Sequence, residues 1–391
     1  MFIAYTLEQL VLRDTLRRYF VEIFDDALHT ELAHIEAGGP LYHQALQRMG
    51  SDGWLGVGWP LEYGGRGLGA VEQFIFSDEV ARAGFPLPFL TLNTVGPTLA
   101  KFGTDEQKSR YLHSILRGRL HFSIGYTEPQ AGTDLASLKT RAIRDGDDYI
   151  VTGQKVFCSL ADHADHLWLA VRTKDDGPKH HGISILIVDK DSPGLSMTPI
   201  RTLGDNGVYA VYLDGVRVPV ANLVSGENQG WRLITSQLNY ERVALFPVGF
   251  LERFLEEVIE FASEPRGPAG TRLIDAPWVR GNLARVAAGL DVLKLMNWRQ
   301  AANIDAGALP PAEASAIKVY GSEFYVLANE LLLEVLADVG TLQKGSAGVA
   351  LRGRLERYYR GTLVLTFGGG ANEIQRDIIA MAGLSMPRPP R

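Results

Sequence analysis

The stretch Tyr149-Ile-Val-Thr-Gly-Gln-Lys-Val-Phe157 marks a change of period in this chain. Upstream of it, apolar residues recur every three or four positions. From here on they fall in short β-branched and aromatic runs bounded by Asp, Gly and Pro. His166-Leu-Trp-Leu-Ala-Val171, Gly182 to Val188 and Val208-Tyr-Ala-Val-Tyr-Leu-Asp-Gly-Val-Arg-Val218 repeat the pattern. Strands so spaced predict a small barrel or sandwich over about 121–225, closed by Gly226-Glu-Asn-Gln-Gly230.

Working outward, both flanks read as helical. Leu7, Leu10, Val11, Leu16 and Phe20 keep helical spacing, and Ala70 to Ala83 is a second candidate. Thr104-Asp-Glu-Gln107 is a capping box that opens a helix running through Leu116. Between these lies Gly58-Trp-Pro-Leu-Glu-Tyr-Gly-Gly-Arg-Gly-Leu-Gly69, too glycine-rich for an element interior. On the C-terminal side, helices are expected over 231–262, about 275–305, 311–338 and after Gly370. The tail from Met386, rich in Pro, is not helical. The organisation expected is α+β and multidomain: a helical domain at 1–120, a β-barrel or sandwich domain at 121–228, and a helical bundle at 229–391.

Composition narrows the function. Of the 391 residues 46% are hydrophobic and 21% charged, as in ordinary globular chains. Lys+Arg 39 against Asp+Glu 45 gives a net charge of −6 with no basic block, which argues against nucleic acid or an anionic membrane as partner. A single cysteine, Cys158, excludes a disulfide framework and a cysteine-based zinc site. No apolar run is long enough to span a bilayer, and the N-terminus has no basic n-region or small-residue cleavage site. A soluble, cytoplasmic protein is expected. His163, His166 and the pair His180-His181 fall in loop-like surroundings without an HExxH or acid-rich loop, so no metal is expected.

Four constellations could carry chemistry. Ile234, Leu238, Glu241, Leu245 and Val248 follow spacings of four, three, four and three, forming one helix stripe that is aliphatic but for the carboxylate. A Glu facing an apolar interior has a raised pKa and suits general acid–base work. The bland alternative is a stripe-edge Glu paired with an Arg from another helix. Gly368-Gly-Gly370 before Ala371-Asn-Glu-Ile-Gln-Arg376 lets backbone approach a ligand, and Asn372 with Gln375 can form a capping box. A flexible turn before a surface helix explains the same residues. Tyr126-Thr-Glu-Pro-Gln-Ala-Gly-Thr-Asp134 is a polar loop entering the β block. In Gly153-Gln-Lys-Val-Phe-Cys-Ser159, alternation puts Phe157 and Ser159 on one face and Cys158, a buried thiol, on the other. Aromatic and hydroxyl on one face suit a planar heteroaromatic ligand; a barrel-core Phe is the plain alternative.

Together, Tyr-Thr-Glu-Pro-x-Ala-Gly-Thr-Asp at 126–134, Gly-x-Lys-x-Phe-x-Ser at 153–159 and Glu-Ile-Gln-Arg at 373–376 resemble an acyl-CoA dehydrogenase. Gly-Trp-Pro-x-x-Tyr-Gly-Gly-x-Gly at 58–67 and the run from Val216 to Gly230 also match. The resemblance covers nearly the whole chain. It implies an N-terminal helical domain, a central β domain and a C-terminal four-helix bundle, with FAD between the last two. It also implies α,β-desaturation of an acyl-CoA thioester: a carboxylate removes the α-proton while the flavin takes the β-hydride. Carried over, Thr127 and the backbone of Tyr126 face the flavin pyrimidine edge, Phe157 packs on the ring system and Ser159 bonds near its reactive nitrogen. Thr133 reaches the pyrophosphate or pantetheine region.

Two departures sharpen the expectation. Many relatives carry the catalytic Glu in a Tyr-Glu-Gly-Thr-type loop, whose corresponding position here is Gly369. A second subgroup places it on a C-terminal-domain helix immediately before an Arg, and Tyr240-Glu-Arg-Val243 matches that arrangement. The resemblance therefore points to Glu241 as base, with Arg242 and the Gly369 N–H on the substrate side. The segments by which a homotetramer's neighbouring subunit holds the FAD adenosine are degraded here, at Pro265-Arg-Gly-Pro-Ala-Gly-Thr-Arg-Leu273 and Asp338-Val-Gly-Thr-Leu-Gln-Lys344. A paralogous partner chain in an α2β2 heterotetramer would restore them, as in the actinobacterial branch that degrades steroid side chains. The expected substrate is then a bulky steroid side-chain CoA ester, with an electron-transfer flavoprotein as acceptor. The alternatives are a non-catalytic subunit completing a paralogue's flavin site, and an acyl-CoA oxidase.

Overall fold

The structure, a computed structural model, describes residues 4–32, 37–205, 207–244, 246–266, 270–308 and 310–387, without the side chains of 238–244. The N-terminal helices are α1 (Leu7–Ile23), α2 (Asp26–Glu31), α3 (Pro40–Ser51), α4 (Ala70–Ala83), α5 (Gly96–Phe102) and α6 (Asp105–Leu116). Thr6 with Gln9 closes a capping box on α1, and Thr104 with Gln107 closes the expected one on α6. The Gln107 amide also donates to Ala221 O and Leu223 O, pinning α6 to the segment that leaves the sheet. A π-helix, Thr91–Val95, precedes α5. The Trp59 indole donates to Leu92 O within it, and the ring lies where any side chain at Gly96 would stand.

The strands are β1 (Phe122–Gly125), β2 (Arg141–Asp145), β3 (Asp148–Ser159), β4 (His166–Arg172), β5 (Ile183–Asp189), β6 (Leu195–Ile200) and β7 (Val208–Pro219). They form one curled sheet in the order β1-β4-β2-β3-β7-β6, with β5 paired to β4. β1, β2 and β6 add to the four strands legible in the sequence. β4 is buried along its whole length. Trp168 and Ala170 face the core shared with the N-terminal helices, while Leu167, Leu169 and Val171 face the core inside the sheet. Burial on both faces explains the unbroken apolar run, which alternation would not produce. His166 opens this strand and is buried, so the loop placement expected for it is corrected.

The C-terminal part holds four long helices, α7 (Gly230–Ala244), α8 (Gly249–Ser263), α9 (Pro277–Asp305) and α10 (Pro311–Val335), followed by α11 (Arg354–Thr362) and α12 (Asn372–Ile378). α8, α9 and α10 close a third core. The single helix expected over 231–262 is two helices. Pro247 lacks an N–H and disfavours helical backbone before it, so the chain breaks at Phe246–Val248. Val248 therefore lies beyond α7, and the five-residue stripe does not sit on one helix.

Candidate active site

The loop after β1 is fastened to β3 by a buried ion pair. Lys155 Nζ, 0% exposed, donates to Glu128 Oε1 at 2.8 Å and to Tyr126 O at 3.1 Å. Glu128 also accepts from the backbone N–H of Lys139 and Thr140 and from the Gln130 amide. Burial opposes the Glu128 charge, but the Lys155 ammonium and these donors outweigh it and hold the carboxyl below its ordinary range. Burial pushes the Lys155 ammonium down to about 8, with the Glu128 charge opposing. A bond from Val156 N to Thr127 O at 2.9 Å completes the seam. Neither Glu128 nor Lys155 was singled out from the sequence. The available signal was a lysine on the same strand face as buried Val151.

That seam carries the ring candidate outward. One extra residue in β3 between Lys155 and Cys158, opposite Val211 and Tyr209, makes a β-bulge. The bulge lets Lys155 and Cys158 both point inward although they are three apart, and it puts Phe157 in left-handed backbone at φ 58°. Phe157 is 59% exposed, so it is no barrel-core Phe. Cys158 is buried in the sheet core as expected, and burial pushes its thiol up to about 12. Ser159 is half-buried, its carbonyl accepting from the Ser123 hydroxyl at 2.8 Å. Thr127 is half-buried, and Thr133 lies exposed in the loop beside Asp134, which binds Lys179. The Tyr126 carbonyl is turned inward to Lys155, so its own contribution to a ligand edge would come from elsewhere on the residue.

The same loop reaches α7. The Tyr126 hydroxyl receives the Trp168 indole N–H at 3.0 Å and donates to Gln237 Oε1 at 2.5 Å. Gln237 is 0% exposed, and its Nε2 has no hydrogen-bond partner among the described residues. Position 241 is one turn further along α7. The side chains of Glu241 and Arg242 lie outside the described residues.

Gly369 and Gly370 both have left-handed backbone, at φ 66° and 106°. The capping box expected from Asn372 and Gln375 is absent: Ala371 is the N-cap and makes no side-chain cap. Both side chains turn into α10 instead. Lys318 Nζ, 0% exposed, donates to Asn372 Oδ1 at 2.8 Å, and the Ser315 hydroxyl donates to Gln375 Oε1 at 3.0 Å. Burying these amides against fixed partners gains more than capping a seven-residue helix at the surface. Arg376 pairs with Glu323, so the glycine loop is tied to α10 at three points. Lys318 was legible by the reasoning used for Glu241, a charged residue on the apolar stripe of Ala314, Ile317, Gly321 and Tyr325.

The geometry can be set beside known proteins. Residues 6–119, 123–216 and 228–384 match the family descriptions "Acyl-CoA dehydrogenase, N-terminal domain", "middle domain" and "C-terminal domain". The chain is 51% identical over 396 residues to Acyl-CoA dehydrogenase FadE26 of Mycobacterium tuberculosis, covering 99% of each. It is 47% identical over 393 residues to FadE29 of the same organism, covering 100% of each. Among solved structures, it is similar to a chain of the ChsE4-ChsE5 complex from Mycobacterium tuberculosis, with TM-score 0.93, 51% identity and 100% of both chains covered. It is likewise similar to a chain of the Tcur3481-Tcur3483 steroid ACAD, with TM-score 0.93, 45% identity and 100% of both covered. Three matched segments in family order, full-length relatives and a shared fold make this chain a member of the acyl-CoA dehydrogenase family of enzymes.

Proposed function

We propose that this chain is the base-bearing subunit of a heteromeric, FAD-dependent acyl-CoA dehydrogenase that desaturates a bulky steroid side-chain CoA ester. The observation that carries the reading is the Tyr126–Gln237 hydrogen bond, which joins the loop seam to α7 one turn before Glu241.

The residues present fit FAD. Phe157 stands exposed in left-handed backbone near the end of β3, and Gln237 Nε2 is a buried donor without a partner among the described residues. Phe157 would stack on the ring system, Ser159 and Thr127 would hydrogen-bond its edge, and Thr133 would hold the diphosphate or pantetheine end. When bound, FAD accepts the β-hydride. The protein's own part is the proton: Glu241 takes it from the α-carbon, and the backbone N–H of Gly369, a residue in left-handed backbone, would donate to the thioester oxygen, where charge develops. A donor of that kind is worth about 3–4 kcal/mol in the transition state. With Gly at 369, no side chain crowds that loop, which leaves room for a branched or ring-bearing acyl group.

A paralogous partner is supported by the similarity to chains of the ChsE4-ChsE5 complex and of the Tcur3481-Tcur3483 steroid ACAD, both named for two chains. Consistent with the degraded segment at 265–273, Arg266 pairs with Glu264 and lies over the Phe261 ring within its own chain. The division into segments 1–120, 121–228 and 229–391 belongs to the same reading. The test is Glu241→Gln in the complex with its partner: turnover should fall at least a thousandfold while FAD stays bound. Undiminished turnover would overturn the assignment. Full flavin occupancy and activity of the isolated chain would overturn the heteromer.

A further inference from the structure

The break between α7 and α8 is held with unusual thoroughness. Three consecutive residues each give a backbone group to a different helix. Phe246 O accepts from Asn297 Nδ2 of α9 at 2.8 Å, Pro247 O accepts from the Tyr325 hydroxyl of α10, and Val248 N–H donates to Asp78 Oδ1 of α4 at 2.7 Å. The side chains of Asn297, Tyr325 and Asp78 are all buried. Two glycines let the helices come this close: a side chain at Gly321 would overlap the Phe246 ring, and one at Gly249 would overlap Asp78 O. The grip begins two residues after α7 ends, and α7 carries Glu241 one turn before its end.

Resting on the reading of Glu241 as base, we infer that Asp78, Asn297 and Tyr325 form a clamp that positions the C-terminal turn of α7, with Asp78 as its adjustable member. An interior helix–helix break needs its peptide groups satisfied, but one donor or acceptor from a single neighbour would satisfy each. Three different helices fix the break in all directions, which a base that must meet an α-carbon within a fraction of an ångström requires. Asp78 is faced by Glu79 on its own helix, Glu252 of α8, Lys294 of α9, Tyr325 of α10 and Tyr5 ahead of α1. Burial, reinforced by Glu252, pushes its carboxyl up to about 7, with Lys294 and the Val248 N–H opposing. The ionised form makes the stronger, charge-assisted bond to Val248 at the start of α8. The clamp therefore tightens as pH rises through neutrality.

The experiment uses the complex with its partner, loaded with FAD, and two readouts between pH 5.5 and 9. One is steady-state turnover. The other is exchange of α-hydrogens in D2O, read by mass, in a 3,3-dimethylacyl-CoA whose quaternary β-carbon bears no hydrogen, which reports the base without hydride transfer. Asp78→Asn keeps an acceptor for Val248 but fixes it neutral. It should match the parent within twofold at pH 6 and fall five- to tenfold below it above pH 8, with KM unchanged. Tyr325→Phe should lower exchange three- to tenfold at every pH, with FAD content unchanged. Parent-like profiles in both variants would overturn the clamp, as would losses confined to FAD content or KM. If Glu241→Gln still exchanges α-hydrogens, the base assignment has failed; if it does not and the clamp variants are silent, only this inference has.

Discussion

Removing the carboxylate of the Glu128–Lys155 pair and removing its ammonium should have unequal costs. Glu128→Gln leaves the Lys155 ammonium at 0% exposure, still bonded to Tyr126 O but with no compensating charge. Breaking a buried pair this way costs about 3–5 kcal/mol. Lys155→Met leaves a carboxylate that keeps the Lys139, Thr140 and Gln130 donors, so the cost should be nearer 1–2 kcal/mol, the scale of one lost charge-assisted bond. In the double variant neither charge remains, and the total should be well under the sum of the singles. The assay is amide hydrogen exchange at Lys139, Thr140 and Val156, whose N–H groups lie in the seam. For Glu128→Gln, opening of the seam should accelerate about 10²–10³-fold if it governs exchange there. Because the Glu128 carboxyl is held below its ordinary range, its contribution stands above the unfolded-state value and is lost only as pH falls through the folded one. Equal effects of the two single variants, or strict additivity in the double, would refute the reasoning.

Three further outcomes are expected. Phe157→Ala should leave the melting temperature nearly unchanged, because the ring is exposed, yet weaken FAD binding about 3–10-fold through the lost stack, read by flavin fluorescence titration. Unaltered FAD affinity would remove Phe157 from the site. Cys158 should resist a maleimide at pH 8 in the native protein and react once unfolded. Its folded pKa lies above the unfolded one, so stability should also decline as pH climbs from the ordinary thiol range toward about 12. Rapid native labelling would contradict the buried placement. Gly96→Ala should cost about 1–3 kcal/mol in a denaturant titration, because the new methyl would overlap the Trp59 ring that donates to Leu92 O. A variant as stable as the parent would show that the π-helix tolerates release of Trp59.

Much of the architecture is written in local pattern. The box at Thr104–Gln107 and the helix at Ala70–Ala83 are found as read, because cap chemistry and period are local properties. Strands β3, β4, β5 and β7 announce themselves by β-branched runs, whereas β1, β2 and β6 are short or polar and owe their form to their neighbours. The break at Pro247 was legible but was overridden by the continuing stripe. The Asn372–Gln375 misreading has the opposite origin: a local cap was inferred where burial against α10 decides. The bulge that brings out Phe157 is invisible to strict alternation. What places it, the Lys155–Glu128 pair, joins residues 27 apart in the chain.

The double-sided burial of β4 and β5 has a consequence for anyone dividing this protein. Phe20, Leu46, Tyr111 and Leu116 share one buried core with Trp168, Ile185 and Ile187, and also with Leu233 and Ile234 of α7. A fragment stopping near residue 120 would leave that apolar wall bare and should precipitate when expressed alone. Chimeras between relatives will be soluble only when the first six helices travel with the strands that roof them.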